Sequence, residues 1–194
     1  IKELIAIDCI IFGFDQNELK LLCFKRIVEP EAGGWSLLGS FIQHDESLDQ
    51  AAKRILYKLT GLDNVYMRQL YAHGEVDRDP GARVISISYF ALINIQDHDH
   101  QLIEDYGAKW FSISKLPKLV LDHQSMVNYA LKILKKEAKY KPIGFELLPE
   151  KFTLPRLQSL YEAMYQKNID NRNFRKSILK ARIIDFPFNF NISS

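Results

Sequence analysis

The sequence predicts an α/β sandwich followed by a small helical domain. Strand-like apolar runs alternate with two segments of helical period over residues 1–136, a mixture that forms layers around one core. The composition then changes at residues 137–145, EAKYKPIGF, where the charges, Pro142 and Gly144 are typical of a linker. Two short amphipathic helices follow. We therefore expect one domain at residues 1–140 and a second at residues 141–194.

Six runs in the first domain are predicted strands because turn-forming residues bound them. They are Leu4–Phe14, Leu19–Arg26, Trp35–Ile42, Tyr66–Tyr71, Arg83–Ile95 and Lys109–Ile113. Apolar residues at helical spacing predict helices at Ser47–Leu59 and His123–Lys136. Ser47 suits the start of the first helix and Gly61 its end, which completes a mixed α/β arrangement.

The second domain is predicted from two helices with a short turn between them. Thr153, with Pro155 just inside, begins a helix that runs to about Tyr165. Asp170 is placed to cap the next helix, Asn171–Lys180. This pattern is typical of a helix-turn-helix unit. Residues 182–185 and 186–192 are the candidate strands of a wing, although no turn residues separate them.

The bulk composition, 47% hydrophobic and 26% charged, is that of an ordinary globular domain. No apolar run reaches the roughly 20 residues of a membrane helix, so we expect a cytoplasmic protein without membrane association. Cys9 and Cys23 lie in apolar runs and are expected to be buried thiols. Residues 1–137 carry 16 basic and 19 acidic side chains, whereas residues 138–194 carry 10 and 5. An acidic body with a basic tail suits a ligand-binding domain joined to a nucleic-acid reader.

The candidate DNA-binding residues are polar and lie mostly on the last predicted helix, whose apolar residues face inward. They are Arg156, Asn171, Arg172, Asn173, Arg175, Lys176 and Lys180. Arginine bonds guanine edges or phosphate, asparagine pairs with adenine, and lysine contacts phosphate. A solvated helix face in a protein–protein module is the alternative interpretation.

The segment at residues 39–62, GSFIQHDESLDQAAKRILYKLTGL, resembles the Nudix box, the loop–helix–loop of Nudix hydrolases. Aligned on Glu46, Arg54 and Gly61, the segment has Ile55, Lys58 and Leu59 where that family has metal-binding carboxylates. Several oxygen ligands are needed to hold Mg²⁺, and a lysine repels it. The five histidines also lack zinc spacing. We expect no metal, no other cofactor and no catalytic residues, although an active hydrolase remains an alternative.

Further motifs extend the resemblance over nearly the whole chain. They include Asp63-x-Val65-Tyr66, Arg78-Asp79-Pro80-x-x-Arg83, Leu121-Asp122-His123 and Asn173-Phe174-Arg175. With the degenerate box, they make the chain similar to the Nudix-related transcriptional regulators. The resemblance implies an α/β Nudix-like sandwich with a C-terminal winged helix-turn-helix, and a homodimer that binds double-stranded operator DNA. The protein would then be a repressor whose small-molecule effector binds in an inactive Nudix-like pocket.

The resemblance also points to the residues around that pocket. The candidate effector-binding residues are Lys25, Arg26, Glu29, Trp35, Glu46, Arg78, Arg83 and Tyr89. Carboxylates and arginines bond hydroxyl groups, and Trp35 is able to stack on a ring, although a tryptophan is more often part of the core. Glu46, paired with Arg54, is alternatively a charge that steadies the start of the helix. Asp122-His123 has no chemical role that the sequence reveals, beyond capping the second helix.

The effector itself is left open between two classes. Related regulators bind a pentose such as L-arabinose and control sugar catabolism, or bind ADP-ribose and control NAD metabolism. The degenerate box removes the metal that would hold a diphosphate, so the sequence favours the pentose. A pure interaction module without DNA binding is a further alternative, and salt dependence of DNA affinity would distinguish it.

Overall fold

The computed structural model describes residues 3–63, 65–98, 100–139 and 143–180. Its strands are β1 (Leu4–Asp15), β2 (Glu18–Lys25), β3 (Trp35–Ser36), β4 (Leu38–Phe41), β5 (Arg68–His73), β6 (Val84–Asn94) and β7 (Ala108–Ser112). Its helices are α1 (Leu48–Thr60), α2 (His100–Asp105), α3 (His123–Glu137), α4 (Leu154–Tyr165) and α5 (Asn171–Lys180). None of the helices in these ranges is long and apolar enough to cross a membrane.

The strands form one mixed sheet with β1 and β6 at its centre. The order is β3-β2-β1-β6-β5, with β4 paired to β1 and β7 paired to β2. β1 and β6 run parallel from Leu4 opposite Val84 to Phe14 opposite Asn94, and the other pairs are antiparallel. Both central strands read as nearly continuous apolar runs, because helices cover the sheet on both faces.

Successive residues of β1 point to opposite faces and so divide the core in two. Ile7, Cys9 and Ile11 pack with α1 on one side, which we call the α1 face. Ile10, Phe12 and Phe14 pack with α3 on the other side, the α3 face. The α/β sandwich that the sequence predicts is confirmed by these two layers of helices around one sheet.

The helix ends follow the capping residues in the sequence. Ser47 accepts a hydrogen bond from the Gln50 amide, while the Gln50 side chain accepts one from the Ser47 amide. Gly61 ends α1 in the left-handed region at φ 72°. In the tail, Thr153 accepts from the Arg156 amide at the start of α4, and Asp170 accepts from the Asn173 amide at the start of α5.

Three features differ from the sequence-based expectation. The run Trp35–Ile42 divides into β3 and β4, because the chain changes partner from β2 to β1 between them. The polar segment around residue 100, for which no helix is predicted, contains the short helix α2. The predicted linker is also not a free tether, since Phe145 is buried in the α3-face cluster. The candidate wing at residues 182–192 lies outside the described residues.

The tail shares its apolar core with the sheet. Leu157 and Leu160 of α4 and Phe174 of α5 belong to the same buried cluster as Ile10 and Phe12 of β1. A shared core means that the placement of the tail depends on α3 and on the α3 face of the sheet.

Candidate effector and DNA-binding sites

The segment that resembles the Nudix box is held together by one ion pair. Arg54 of α1 donates from Nε to Glu46 Oε2 at 2.7 Å and from Nη2 to the Phe41 carbonyl at 3.1 Å. Glu46 also accepts from the Gln43 amide at 2.7 Å. The hydrogen bond from Arg54 lowers the pKa of Glu46. Glu46 therefore fixes the loop before α1, as the sequence-based alternative proposes for this residue.

The three box positions that would hold carboxylates carry no oxygen ligand. Ile55 is buried in the α1-face cluster and Leu59 packs against it, while Lys58 is exposed. Among the described residues, no group of three histidine, cysteine, aspartate or glutamate side chains is placed to hold a metal. Mg²⁺ requires several oxygen ligands. The residues present in this part of the helix therefore do not fit the divalent metal of a Nudix enzyme.

A cleft of about 710 Å³ lies beside α1 on the α1 face. Its polar and aromatic lining consists of Asp49, Lys53, Arg54, Tyr57, Asp63, Tyr66 and Tyr89. Tyr89 donates to Asp49 at 2.5 Å, and burial raises the pKa of the Tyr89 phenol. Tyr57 and Tyr66 are 57% and 84% exposed, so their rings are free to meet a ligand. We call this the tyrosine cleft; its size is that of a small-molecule site.

A second cleft, of about 870 Å³, opens at the α3 face. It is lined by Tyr71 and His73 of β5, by the segment 74–78, and by Asp122, Ser125 and Tyr129 at the start of α3. The rings of Tyr71 and Tyr129 lie 4.8 Å apart. His73 Nε2 lies 3.0 Å from the Ser88 hydroxyl, and burial lowers the pKa of His73. Its exposed acids, Glu75 and Asp77, make this cleft less suited to an anionic ligand.

Below the second cleft lies a buried network that we call the Asp8 cluster, formed by Asp8, Arg78, Asp122 and His123. Arg78 donates to both Asp122 oxygens, at 3.0 and 2.8 Å, and its Nη2 lies 3.8 Å from Asp8. His123 Nε2 lies 3.7 Å from the other Asp8 oxygen. The Leu37 amide donates to His123 Nδ1 at 3.1 Å, so a ring proton faces Asp8. All four side chains are thus fixed by partners.

The Asp8 cluster explains the Asp122-His123 motif and corrects the expected capping role. Asp122 makes no side-chain cap at α3; its carboxylate is paired with Arg78 instead. Arg78, expected at the effector pocket, is 7% exposed and lies under the second cleft. The sequence-based interpretation gives Asp8 no role. The signal was present, because Asp8 interrupts the apolar run Leu4–Phe14.

The other predicted effector residues do not meet in one pocket. Lys25 lies over Trp35 at 5.9 Å, and Trp35 packs edge-on against Phe111 at 4.7 Å. Arg26 donates to the Val28 and Pro30 carbonyls of its own loop at 2.9 and 2.6 Å.

Glu29, in the same loop, is exposed. Arg83 donates to the Glu75 carbonyl at 3.1 Å. Of the eight residues, only Tyr89 lines the tyrosine cleft, with Glu46 beside it through Arg54.

The α5 helix presents the polar face that the sequence predicts. Phe174 and Ile178 are buried, while the exposed residues are Asn171, Arg172, Asn173, Arg175 and Lys176. The side chain of Lys180 lies outside those that the structure describes. Arg156 is placed differently: its guanidinium lies 4.6 Å from the Phe14 ring and donates to Asn17 at 2.9 Å. Arg156 therefore joins the tail to the β1–β2 hairpin in this structure.

Comparisons with known proteins define the class to which this architecture belongs. The family model described as NUDIX domain matches residues 2–130, and the model described as NrtR DNA-binding winged helix domain matches residues 144–186. The chain therefore belongs to the Nudix family, in the group whose Nudix domain is followed by a DNA-binding winged helix domain. The family and fold that the sequence predicts are confirmed.

Individual relatives sharpen the comparison. The chain is 30% identical over 188 residues to the ADPR responsive transcriptional repressor NtrR of Acinetobacter baylyi, which covers 95% of this chain and 75% of that protein. Shewanella oneidensis NrtR complexed with a 27mer DNA is 31% identical, with a TM-score of 0.80 over 92% of this chain and 83% of that one. The NUDIX domain of the same NrtR complexed with ADP ribose is 29% identical, with a TM-score of 0.61 over 69% and 90%. These relatives support the ADP-ribose alternative and give no support to the arabinose branch.

Proposed function

We propose that this protein is a ligand-responsive, DNA-binding transcriptional repressor whose effector is ADP-ribose. One observation carries the proposal. The box keeps its frame through the Glu46–Arg54 pair, while Ile55 and Leu59 pack into the core at positions that enzymes use for metal. A fold that retains a cleft but lacks the metal ligands is suited to binding without hydrolysis. The basic face of α5 supplies the output of such a sensor.

The tyrosine cleft is the better of the two clefts for this effector. Lys53 supplies positive charge for a diphosphate, Arg54 lines the same cleft while paired with Glu46, and Tyr57 and Tyr66 supply rings for an adenine. In this arrangement, side-chain cations take the place of the metal whose loss made the sequence favour a pentose. In the second cleft, Glu75 and Asp77 are exposed and the lining cation, Arg78, is already paired with Asp122, so that cleft is less suited to the same ligand. Tyr89 and Glu46 are kept in the proposed site, whereas Lys25, Arg26, Glu29, Trp35, Arg78 and Arg83 do not line the tyrosine cleft.

DNA recognition is assigned to α5. Asn171, Arg172, Asn173, Arg175 and Lys176 share its exposed surface, so they are able to enter one major groove together. A homodimer would present two such helices to the half-sites of a palindromic operator. ADP-ribose would favour a dimer geometry that fits the operator less well, and so release the DNA.

The proposal is tested by operator binding in the presence of candidate effectors. A duplex selected from a random library by the full chain serves as the probe, followed by fluorescence anisotropy with EDTA present. We expect ADP-ribose to raise the operator Kd at least about tenfold, a typical allosteric coupling, and L-arabinose to leave it unchanged. Release by L-arabinose alone would restore the pentose interpretation. Failure to select any duplex would favour an interaction module.

A matched pair of lysines tests the location of the effector site. Lys53→Ala is expected to weaken ADP-ribose binding about tenfold, because a charge-assisted contact to phosphate is lost. Lys132→Ala, an exposed lysine of α3 outside both clefts, is the control. Equal affinities for the two variants would remove the effector from the tyrosine cleft. ADP-ribose incubated with Mg²⁺ should also stay intact, and steady turnover would instead establish a hydrolase.

A further inference from the structure

The α3 helix is fixed to the sheet at both ends by charged groups. Its first residue, His123, and the preceding Asp122 belong to the Asp8 cluster. Its last residue, Glu137, receives two hydrogen bonds from Arg68 of β5, at 3.1 and 2.9 Å. The Arg68 guanidinium also lies 4.9 Å from the Phe90 ring. The position of α3 on the sheet is therefore specified by directional contacts as well as by apolar packing.

The tail rests on this same helix. Leu131 and Leu134 of α3 share the buried cluster with Leu157 and Leu160 of α4. Lys135 reaches Gln166, the residue that ends α4, at 3.4 Å. A shift of α3 would therefore move α4 with it, because close-packed interiors transmit displacement.

The α5 helix follows α4. The rings of Tyr161 and Phe174 meet at 5.6 Å, and Gln158 of α4 lies 2.6 Å from the Asn171 side chain at the start of α5. The DNA-reading helix is thus held by the helix that α3 positions.

The Asp8 cluster also touches the strand that leads into the box. The Leu37 amide donates to His123, and a side chain at Gly39 would meet Asp8 at 2.1 Å. Gly39 therefore allows β4 to lie directly against the carboxylate of Asp8. Two residues further along, the Phe41 carbonyl accepts from Arg54, which lines the tyrosine cleft. One short strand thus joins the proposed effector site to the start of α3.

We propose that Asp8, Arg78, Asp122 and His123 are positioning residues that couple effector binding at the tyrosine cleft to the orientation of the DNA-reading tail. The Arg68–Glu137 pair holds the other end of the same helix. Buried ion pairs add little stability over apolar packing of the same shape, but they select one arrangement among several. The inference rests on the proposed function, since it names how that function is regulated.

The coupling ratio, which is the operator Kd with saturating ADP-ribose divided by the Kd without it, measures this role. Asp122→Asn keeps the shape of the side chain and removes its charge. We expect the coupling ratio of this variant to be less than about one fifth of the wild-type ratio, because about fivefold is the lower end of typical allosteric coupling. The Kd for ADP-ribose alone should stay within about threefold, since Asp122 does not line the tyrosine cleft.

Two further variants complete the test. Gln124 follows His123 in the chain, and its side chain donates to Asn128 on the exposed side of α3 at 3.3 Å. Gln124→Ala is the control and should keep the full coupling ratio. Glu137→Gln weakens the less buried Arg68–Glu137 ion pair at the other end of α3. This variant should lower the coupling ratio even if Asp122→Asn fails to fold. The proposal is overturned if Asp122→Asn and Glu137→Gln, where they fold, both keep the wild-type coupling ratio.

Hydrogen exchange separates this inference from the effector assignment. If ADP-ribose has no effect on operator binding by the wild-type chain, the proposed function fails. The effect of the ion pairs at the two ends of α3 on the tail can still be measured. Amide exchange in α4 and α5 should then be faster in Asp122→Asn and Glu137→Gln than in Gln124→Ala. Unchanged exchange in both helices would contradict the positioning role, whatever the effector is.

Discussion

The two faces of the central sheet differ in what packs against them. On the α1 face, Ile7, Cys9 and Ile11 close a core with α1, and a cleft with cations and tyrosines lies beside that helix. On the α3 face, the core of Ile10, Phe12 and Phe14 continues through α3 into the tail. One sheet thus separates the proposed effector site from the proposed DNA-reading tail, while both depend on the same strands.

The ion pairs of the two faces differ in the same way. Glu46 and Arg54 join a loop to its own helix near the surface, with side chains 10% and 25% exposed. Arg78, 3% exposed, is paired with carboxylates from β1 and from the start of α3. The first pair organises a local segment, whereas the second joins elements that are distant in sequence. The Arg78 pairs should therefore matter more for the stability of the whole fold than the Glu46–Arg54 pair.

The largest effect is expected at the tail. The double variant Arg172→Ala/Arg175→Ala removes two contacts worth about 1–3 kcal/mol each, so operator affinity should fall about 1,000-fold. ADP-ribose affinity should not change, because both residues lie on the exposed side of α5 and away from the tyrosine cleft. Anisotropy measures the first quantity and calorimetry the second. Retained operator affinity would mean that α5 is not the recognition helix.

The next effect compares the two ion pairs. Arg78→Met should lower the free energy of unfolding by about 3 kcal/mol, because the buried Asp8 and the partly buried Asp122 lose a cation that lies between them. Glu46→Gln should lower it clearly less, since that pair lies near the surface and is screened by solvent. Urea unfolding of both variants gives the comparison. Equal losses would show that the two faces do not differ as described.

Arg156 offers a smaller and sharper test of the boundary between body and tail. Arg156→Ala removes a ring contact with Phe14 and a hydrogen bond to Asn17, so stability should fall by about 1 kcal/mol. Operator affinity should drop by less than about tenfold, and the salt dependence of binding should stay the same. A salt slope lowered by about one would instead support the original expectation that Arg156 contacts DNA phosphate.

The smallest effect concerns pH. Burial lowers the pKa of His73 in the folded protein below the 6.5 of the free side chain. The unfolded chain therefore binds more protons as the pH falls through 6.5, and stability decreases in that range. His73→Gln should flatten the loss between pH 7.5 and 5.5 by less than about 1 kcal/mol, because the ring is partly solvated. His98, whose pKa is lowered in the same direction, should leave a residual slope. A steeper pH dependence in the variant would contradict this assignment.

The fold follows from local patterns that the sequence displays. Apolar period, the capping residues Ser47 and Thr153, and Gly61 place the long elements within one or two residues of their observed ends. The break between β3 and β4 could not be predicted, because it depends on a change of pairing partner rather than on local propensity. The short helix α2 was hidden by a polar sequence that suits a loop equally well.

The site was less predictable than the fold. The absence of carboxylates at Ile55, Lys58 and Leu59 is visible in the sequence alone. The clefts form between segments far apart in the chain, so Lys53 and Tyr66 gave no signal as partners. The pentose preference followed from assuming that a diphosphate needs a metal. The relatives favour ADP-ribose, and Lys53 and Arg54 offer a physical alternative to that metal.

The most direct test of the central claim is calorimetric titration of ADP-ribose into the free protein and into its operator complex, without divalent metal. We expect the operator to weaken ADP-ribose binding by the same factor by which ADP-ribose weakens operator binding, because the coupling free energy is reciprocal. Equal ADP-ribose affinity for the free and DNA-bound protein, or no affinity without metal, would contradict it.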